Sequence, residues 1–329
     1  MMLPGVLQPE RFHGHRARPP FFEGWYYKLV DPHGRHRLAV IPGLFLSPDP
    51  AERYAFVQVL DGAGRTEVFR YPREEFQAAR DQFEVRVGDS LFTERLLRLD
   101  LHGSERTISG EIGFVGTVPW PVTLRSPGIM GWYAWVPFME CYHGVVSLDH
   151  VLEGALVLDD DVVSFTGGRG YIEKDWGRSF PAGYIWLQSN HFPEPGVSLT
   201  GSIAVIPWLG GAFPGFIAGF LIGERLYRFA TYTGARTEAL TITDDTVVWT
   251  MADRHLRLRL EATRARGGLL LGPTREHMHG HVDETLSAEV EVVLTSITGG
   301  QTLYEGIGRH AGLEVQGDTA RLLALQRSE

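Results

Sequence analysis

The residues of this 329-residue chain best suited to chemistry lie in GGRGYIEKDWGRSFP, Gly167 to Pro181, where Glu173, Lys174 and Asp175 interrupt what otherwise reads as a buried strand. Alternation along a strand sets Tyr171, Glu173 and Asp175 on one face and Ile172, Lys174 and Trp176 on the other. Whichever face turns inward takes an ionisable group with it. An unpaired buried charge costs several kcal/mol, so the structural expectation is a salt bridge through Lys174 or Arg178. The chemical expectation uses the carboxylates. Two on one face, roughly 7 Å apart along the strand, repel when both are ionised, and one pKa rises. A carboxylic acid that keeps its proton near neutral pH is a general acid.

Similar material lies on either side. MGWYAWVPFMECYHGVVSLDH, Met130 to His150, gathers Trp132, Tyr133, Trp135, Phe138, Glu140, Tyr142, His143 and His150. YIWLQSNHF follows with Tyr184, Trp186, Gln188 and Asn190, which alternation sets on a common face, and FFEGWYYK opens the first strand with Glu23 and Trp25. Aromatic rings fill cores more often than they line sites, but here they cluster around carboxylates. Glu140 and His143 are three residues apart, a spacing that puts them on opposite faces of a strand.

The elements that must position these groups are strands. Runs such as Tyr54-Ala-Phe-Val-Gln-Val-Leu, Thr246-Val-Val-Trp-Thr-Met and Leu286-Ser-Ala-Glu-Val-Glu-Val-Val-Leu alternate apolar with polar residues, and signals such as Asp31-Pro-His-Gly and Asp61-Gly-Ala-Gly turn the chain between them. Many short strands with 39 glycines at the corners predict an all-β protein. The expected form is two antiparallel barrels or sandwiches in tandem, residues 1–180 and 181–329, with a pocket inside one or between them. Helical periodicity is confined to short turns at Pro72 to Ala79 and Asp49 to Arg53. The stretch from Pro195 to Gly223 has no charged side chain, but its prolines and glycines break it into a pair of buried strands joined by a Gly-Pro turn. That apolar hairpin leaves peripheral contact with a lipid surface open.

Composition narrows the function. The net charge of −9 with interspersed signs offers no basic stripe for nucleic acid, and one cysteine, Cys141, permits no internal disulfide. The first residues lack the features of a secretory signal, which predicts a cytoplasmic protein, with membrane association open. His13 and His15 are expected on an exposed basic arm. Oligomeric state is not legible.

FFEGWYYK, IPGLF, FVQVLDG, PFMECYHGVVSLDH, GGRGYIEKDWGRSFP, IWLQSNHF and GPTREHM together resemble the tocopherol cyclase family nearly from end to end. The resemblance implies two lipocalin-like β-barrels and closure of a prenylated hydroquinone to a chromanol. A similar acidic-Trp-Gly pattern occurs in carotenoid 1,2-hydratases, where water rather than a phenol captures the cation. On this resemblance Asp175 is the expected proton donor. Glu173 raises its pKa or takes the phenolic proton, and His143 is an alternate donor or relay. Trp176, Trp186 and Trp135 would face the developing positive charge, with Tyr142 and Trp25 lining the site. Gln188 and Asn190 would hold the ring hydroxyl or the acid. The substrate is a small lipophile, a prenylated quinol or other isoprenoid, and a redox-neutral closure calls for no cofactor.

Other chemistries fare less well. His277, His279 and His281 share a face if HMHGH is extended, but the spacing is no recognised ligand signature, so no metal is assigned. GxSxG is absent, and GGRG lacks the lysine and helix of a phosphate loop. The serious rival is a non-catalytic carrier of quinone, carotenoid or lipid, in which Glu173 and Asp175 would be tied to Lys174 or Arg178.

Overall fold

The computed structural model describes residues 3–278 and 280–328. By internal contacts the chain forms two units, Met1–Phe180 with Gly268–Val282, and Pro181–Gly267 with Asp283–Glu329. The division after Phe180 is accompanied by a return of Gly268–Val282 to the first unit, which strand counting along the chain does not reveal.

Before Phe180 lie strands β1 (Phe21–Val30), β2 (Arg37–Leu46), β3 (Tyr54–Asp61), β4 (Thr66–Pro72), β5 (Phe76–Ala78), β6 (Glu84–Val87), β7 (Ser90–Thr93), β8 (Leu96–His102), β9 (Thr107–Val115), β10 (Cys141–Leu158), β11 (Asp161–Ser164) and β12 (Arg169–Gly177). They pair in the order β4-β3-β2-β1-β12-β10-β9-β8-β7-β6-β5, with β11 on β10. Val57 and Phe69 come from one end of that order and Val85 and Phe92 from the other, yet all four share one core with Trp25, Leu152 and Ile172. A sheet whose ends meet across one core must curl.

The chain continues through β13 (Gly183–Ser189), β14 (Val197–Trp208), β15 (Gly211–Ile222), β16 (Arg225–Ala230), β17 (Arg236–Ile242), β18 (Thr246–Ala252), β19 (Leu256–Thr263), β20 (Gly268–Gly272), β21 (Gly280–Ser296) and β22 (Thr302–Gly317). The second sheet runs β16-β15-β14-β13-β22-β21-β19-β18-β17. It curls for the same reason: Phe216 on β15 and Trp249 on β18, far apart in strand order, meet edge to face at 5.8 Å. The protein is thus all-β, with two antiparallel sheets in a tandem lipocalin-like arrangement.

Local readings hold with adjustments. The helical turns near residues 50 and 73 are single 3-10 turns, Pro50–Glu52 and Arg73–Glu75. The uncharged stretch from Pro195 is the β14–β15 hairpin, but its turn falls at Leu209–Gly210, both at positive φ, and Pro207 and Pro214 lie inside the strands. No helix among the described residues is long and apolar enough to cross a membrane. A C-terminal helix, Thr319–Gln326, went unread; Asp318 caps it by accepting from the Arg321 N–H at 2.9 Å, and Leu322 is buried.

Segment Gly268–Val282 is fastened to the outer face of β1–β3. The buried Gln58 amide acts as a strand neighbour, donating to the Leu271 carbonyl at 2.9 Å and accepting from its N–H at 2.8 Å. Met278 packs among Phe22, Phe45 and Phe56.

Inside the first sheet, Lys174 and Glu23 form an ion pair with both side chains fully buried. Lys174 lies over the rings of Trp25 and Trp176, 4.4 and 4.9 Å from their centroids, and donates to the Arg11 carbonyl. His13 contradicts the exposed-arm reading. It stacks on Trp176 at 4.2 Å, and its backbone N–H and Nδ1 contact Glu23 at 2.9 to 3.1 Å. Trp25 donates to the Glu10 carbonyl at 3.0 Å, so the arm is held by the very charges the strand buries. His15 does remain exposed, near the Ala79 carbonyl. Burial pulls the Lys174 amine below its usual range. Burial pushes the Glu23 carboxyl the other way, but Lys174 and then His13 bring it below the usual carboxylate range. Desolvation therefore consumes much of what the attraction returns. In urea denaturation, Lys174→Met should cost about 3–5 kcal/mol by stranding Glu23, while Glu23→Leu/Lys174→Met should recover more than half of that loss. A double variant no more stable than the single would refute this account.

Candidate active site

β12 lies between β1 and β10, and this placement builds the site. Register sets His143 opposite Asp175, Val145 opposite Glu173 and Cys141 opposite Gly177; on the other side Gly24 meets Asp175, Tyr26 meets Glu173 and Lys28 meets Tyr171. Directly paired residues share a face. A Cβ at Gly177 would fall 2.3 Å from the Glu140 carbonyl oxygen, so glycine lets β10 and β12 close here.

On the face away from the Lys174 pair, His143 sits between two carboxylates. Its Nδ1 is 2.9 Å from Asp175 Oδ1, and its Nε2 is 3.5 Å from Glu173 Oε2. Tyr171, fully buried, donates its hydroxyl to Glu173 Oε2. The side chains of Asp175, His143 and Glu173 are 29%, 12% and 5% exposed, so Asp175 is the one an incoming molecule reaches most readily. Burial works against an imidazolium at His143, but the charges of Glu173 and then Asp175, with the Asp175 hydrogen bond, outweigh it and raise the pKa to about 9. At neutral pH the cluster therefore holds a proton on His143.

Beside it the same face is apolar. Cys141 lies 3.9 Å from Asp175 Oδ1 and packs against the cluster of Phe22, Phe45, Phe56 and Met278. Burial first, then Asp175, pushes the Cys141 thiol well above its usual range, which keeps it neutral and unreactive.

The other residues singled out from sequence are placed differently. Trp176, Trp25 and Tyr142 lie on the Lys174 face, with Tyr142 stacked on Trp176 at 5.4 Å. They do not share the face of the carboxylates: Trp176 is an odd number of residues from both along β12, Trp25 pairs with Lys174 and Tyr142 with Trp176. Trp135 closes a 3-10 turn, Gly131–Trp135, and donates to the Leu124 carbonyl at 3.1 Å. Trp186 and Gln188 are buried on β13 of the second unit, with Asn190 just after that strand, its side-chain oxygen 3.0 Å from His191 Nδ1. In the same unit a groove of about 890 Å³ runs past His191, Phe192, Glu291 and Arg309; none of the residues singled out from sequence lines it. His277 is exposed, while His279 and the side chain of His281 lie outside the described residues. Sequence reasoning missed the phenylalanine wall, whose members are scattered along the chain. It also missed Lys28, fully buried at the position opposite Tyr171. Alternation from Trp25 would have put Lys28 on the carboxylate face.

A family profile described as Tocopherol cyclase-like matches residues 98–317, two thirds of the chain, spanning β10 and β12. The chain belongs to the tocopherol cyclase-like family. The chloroplastic tocopherol cyclase of Zea mays is 24% identical over 324 residues, covering 80% of this chain and 67% of that enzyme. A chloroplastic relative from Oryza sativa subsp. japonica, also named for tocopherol cyclase, is 27% identical over 167 residues, 47% of this chain and 34% of that one. Among solved structures, an AttH-type protein of Nitrosomonas europaea aligns with a TM-score of 0.56 at 12% identity, over 96% of this chain and 97% of the other. CghA with Sch210972 gives 0.56 at 12% identity, over 91% and 89%. At such identity these likenesses show a shared fold.

A second histidine on β10 behaves oppositely to His143. His150 is 2% exposed, its Nδ1 lies 2.9 Å from the Ser147 hydroxyl, and its ring packs on Phe114. Burial, then the Arg169 charge, lowers its pKa to about 3. An unfolded histidine titrates near about 6.5. As pH falls from there toward 3 the unfolded chain takes up a proton at His150 that the fold refuses, and as pH rises toward 9 it releases one that the fold keeps at His143. From these two groups, stability should peak near about pH 6.5 and decline on both sides, each limb worth on the order of a few kcal/mol. Thermal unfolding across pH tests this: His143→Gln should flatten the alkaline limb and His150→Asn the acid limb. Unchanged limbs would refute the assignment.

Proposed function

We propose that this protein closes a prenylated hydroquinone to a chromanol by acid catalysis at Asp175, with Glu173 as base and the His143 imidazolium loading Asp175 with its proton. The observation that carries this reading is the imidazole of His143, which faces one carboxylate with each nitrogen. The reaction is proton-neutral overall: the alkene gains a proton and the phenol loses one. Asp175 protonates the less substituted alkene carbon as the phenol oxygen bonds to the other, and Glu173 takes the phenolic proton. His143, protonated on both nitrogens at rest, supplies from Nδ1 the proton that passes through Asp175; afterwards Nδ1 regains a proton from solvent as Glu173 releases its own, which restores the starting state.

Energetics favour a concerted step. A donor loaded from an imidazolium with a pKa of about 9 is too weak to make a free tertiary cation, so the phenol must attack as the proton arrives. A positioned acid supplies about 10² to 10⁴ in rate, or roughly 3–5 kcal/mol. Holding the phenol against the alkene supplies several kcal/mol more. The packed cluster of Phe22, Phe45, Phe56 and Met278 beside Cys141 keeps water from that side of the acid cluster.

Two observations speak against a passive carrier. Lys174 is engaged by Glu23 on the opposite face, and no ion pair joins Arg178 to either carboxylate among the described residues. Hydration of the alkene differs only in the nucleophile and is separated by product. Incubation with a prenylated hydroquinone in deuterated water should yield chromanol carrying one deuterium beside the ether carbon. Asp175→Asn should lower kcat by about 10² to 10⁴, and Glu173→Gln by at least about tenfold. Full turnover by both variants would overturn the assignment, and a tertiary alcohol as the only product would move it to hydration.

A further inference from the structure

The acid cluster is also a ligand set. One donor atom each from His143, Glu173 and Asp175 lie within 4.8 Å of one another. Nitrogen and oxygen ligands about 2.1 Å from one ion stand roughly 3 to 3.5 Å apart. The 3.5 Å between His143 Nε2 and Glu173 Oε2 matches that spacing and is long for a hydrogen bond. On the other side of the ring, Nδ1 is held at 2.9 Å by Asp175, the carboxylate contact that orients metal-ligating histidines and fixes which nitrogen faces the ion. Glu173 is backed in turn by the Tyr171 hydroxyl. The incoming ion takes the place of the Nε2 proton on the imidazole, in a site where the Glu173 and His143 side chains are only 5% and 12% exposed.

We infer that this cluster binds a first-row divalent cation, Zn²⁺ or Mn²⁺, through His143 Nε2 and the Glu173 carboxylate, with Asp175 orienting the imidazole and supplying the second negative charge. Imidazole and carboxylate together suit these ions better than Mg²⁺, which prefers oxygen ligands alone. The ion keeps the imidazole from carrying the proton that loads Asp175 and occupies the base Glu173, so it inhibits. Inhibition rests on the function proposed above; binding does not.

The test is calorimetric titration of chelator-treated full-length protein with ZnCl₂ and with MnCl₂, in excess Mg²⁺. One ion per chain is expected. His143→Ala and Glu173→Gln, each checked for native circular dichroism, should abolish saturation, and Asp175→Asn should weaken it by about 10- to 100-fold. The triple variant His277→Ala/His279→Ala/His281→Ala should bind as the parent does. No saturable binding of either ion, or binding lost in the triple variant and kept in His143→Ala, overturns the inference and leaves the acid chemistry untouched. An ion that binds at His143 without slowing chromanol formation upholds the site and overturns the catalytic reading.

Discussion

Charge neutralisation on both faces of one central strand is the constraint on which the first unit depends. β12 carries Lys174 into the core and Glu173 and Asp175 to the opposite face, with β1 on one side and β10 on the other. No sheet can bury such a strand unless each face brings its own counter-charge. Glu23 answers Lys174 from β1, and His143 answers the two carboxylates from β10. The two solutions differ in kind. The inner one is a closed ion pair under indole rings, further tied to an N-terminal arm, and has no proton to spare. The outer one sets a single imidazole between two acids, one of them partly open to solvent.

Ionisable groups so near in sequence are thus divided between the two faces of the sheet. Lys174 lies between Glu173 and Asp175 along the chain, yet the pleat separates them across the sheet. The inner pair ties β12 to β1, and on the other edge of β12 the register with β10 brings His143 opposite Asp175. The bulges after Val145 then carry β10 on to His150. Two histidines on one strand thus have pKa values shifted in opposite directions. Neighbouring carboxylates overcome burial at His143, whereas Arg169 reinforces it at His150.

The family relation and the geometry meet at the same residues, since the matched region contains β10 and β12. The surroundings are less expected. The carboxylates are flanked by phenylalanines and a methionine, while the nearest tryptophans turn inward to the lysine. For the closure proposed above, apolar packing that limits water matters more than a cage of indoles built to stabilise a long-lived cation.

Period-two alternation and turn chemistry were enough to read the all-β class, the strand character of Gly167–Pro181 and the shared face of Tyr171, Glu173 and Asp175, because these depend only on neighbours within a few residues. The motif at residues 141–143 likewise announced a histidine near the acids. What the sequence could not supply is which strand lies beside which. His143 opposite Asp175, Glu23 beneath Lys174, the arm stacked on Trp176 and the return of Met278 to Phe22 all join residues distant along the chain. Such pairings follow from how a curling sheet buries its apolar face and cancels its charges as a whole. Local pattern chose the groups, and tertiary packing decided which of them share a proton.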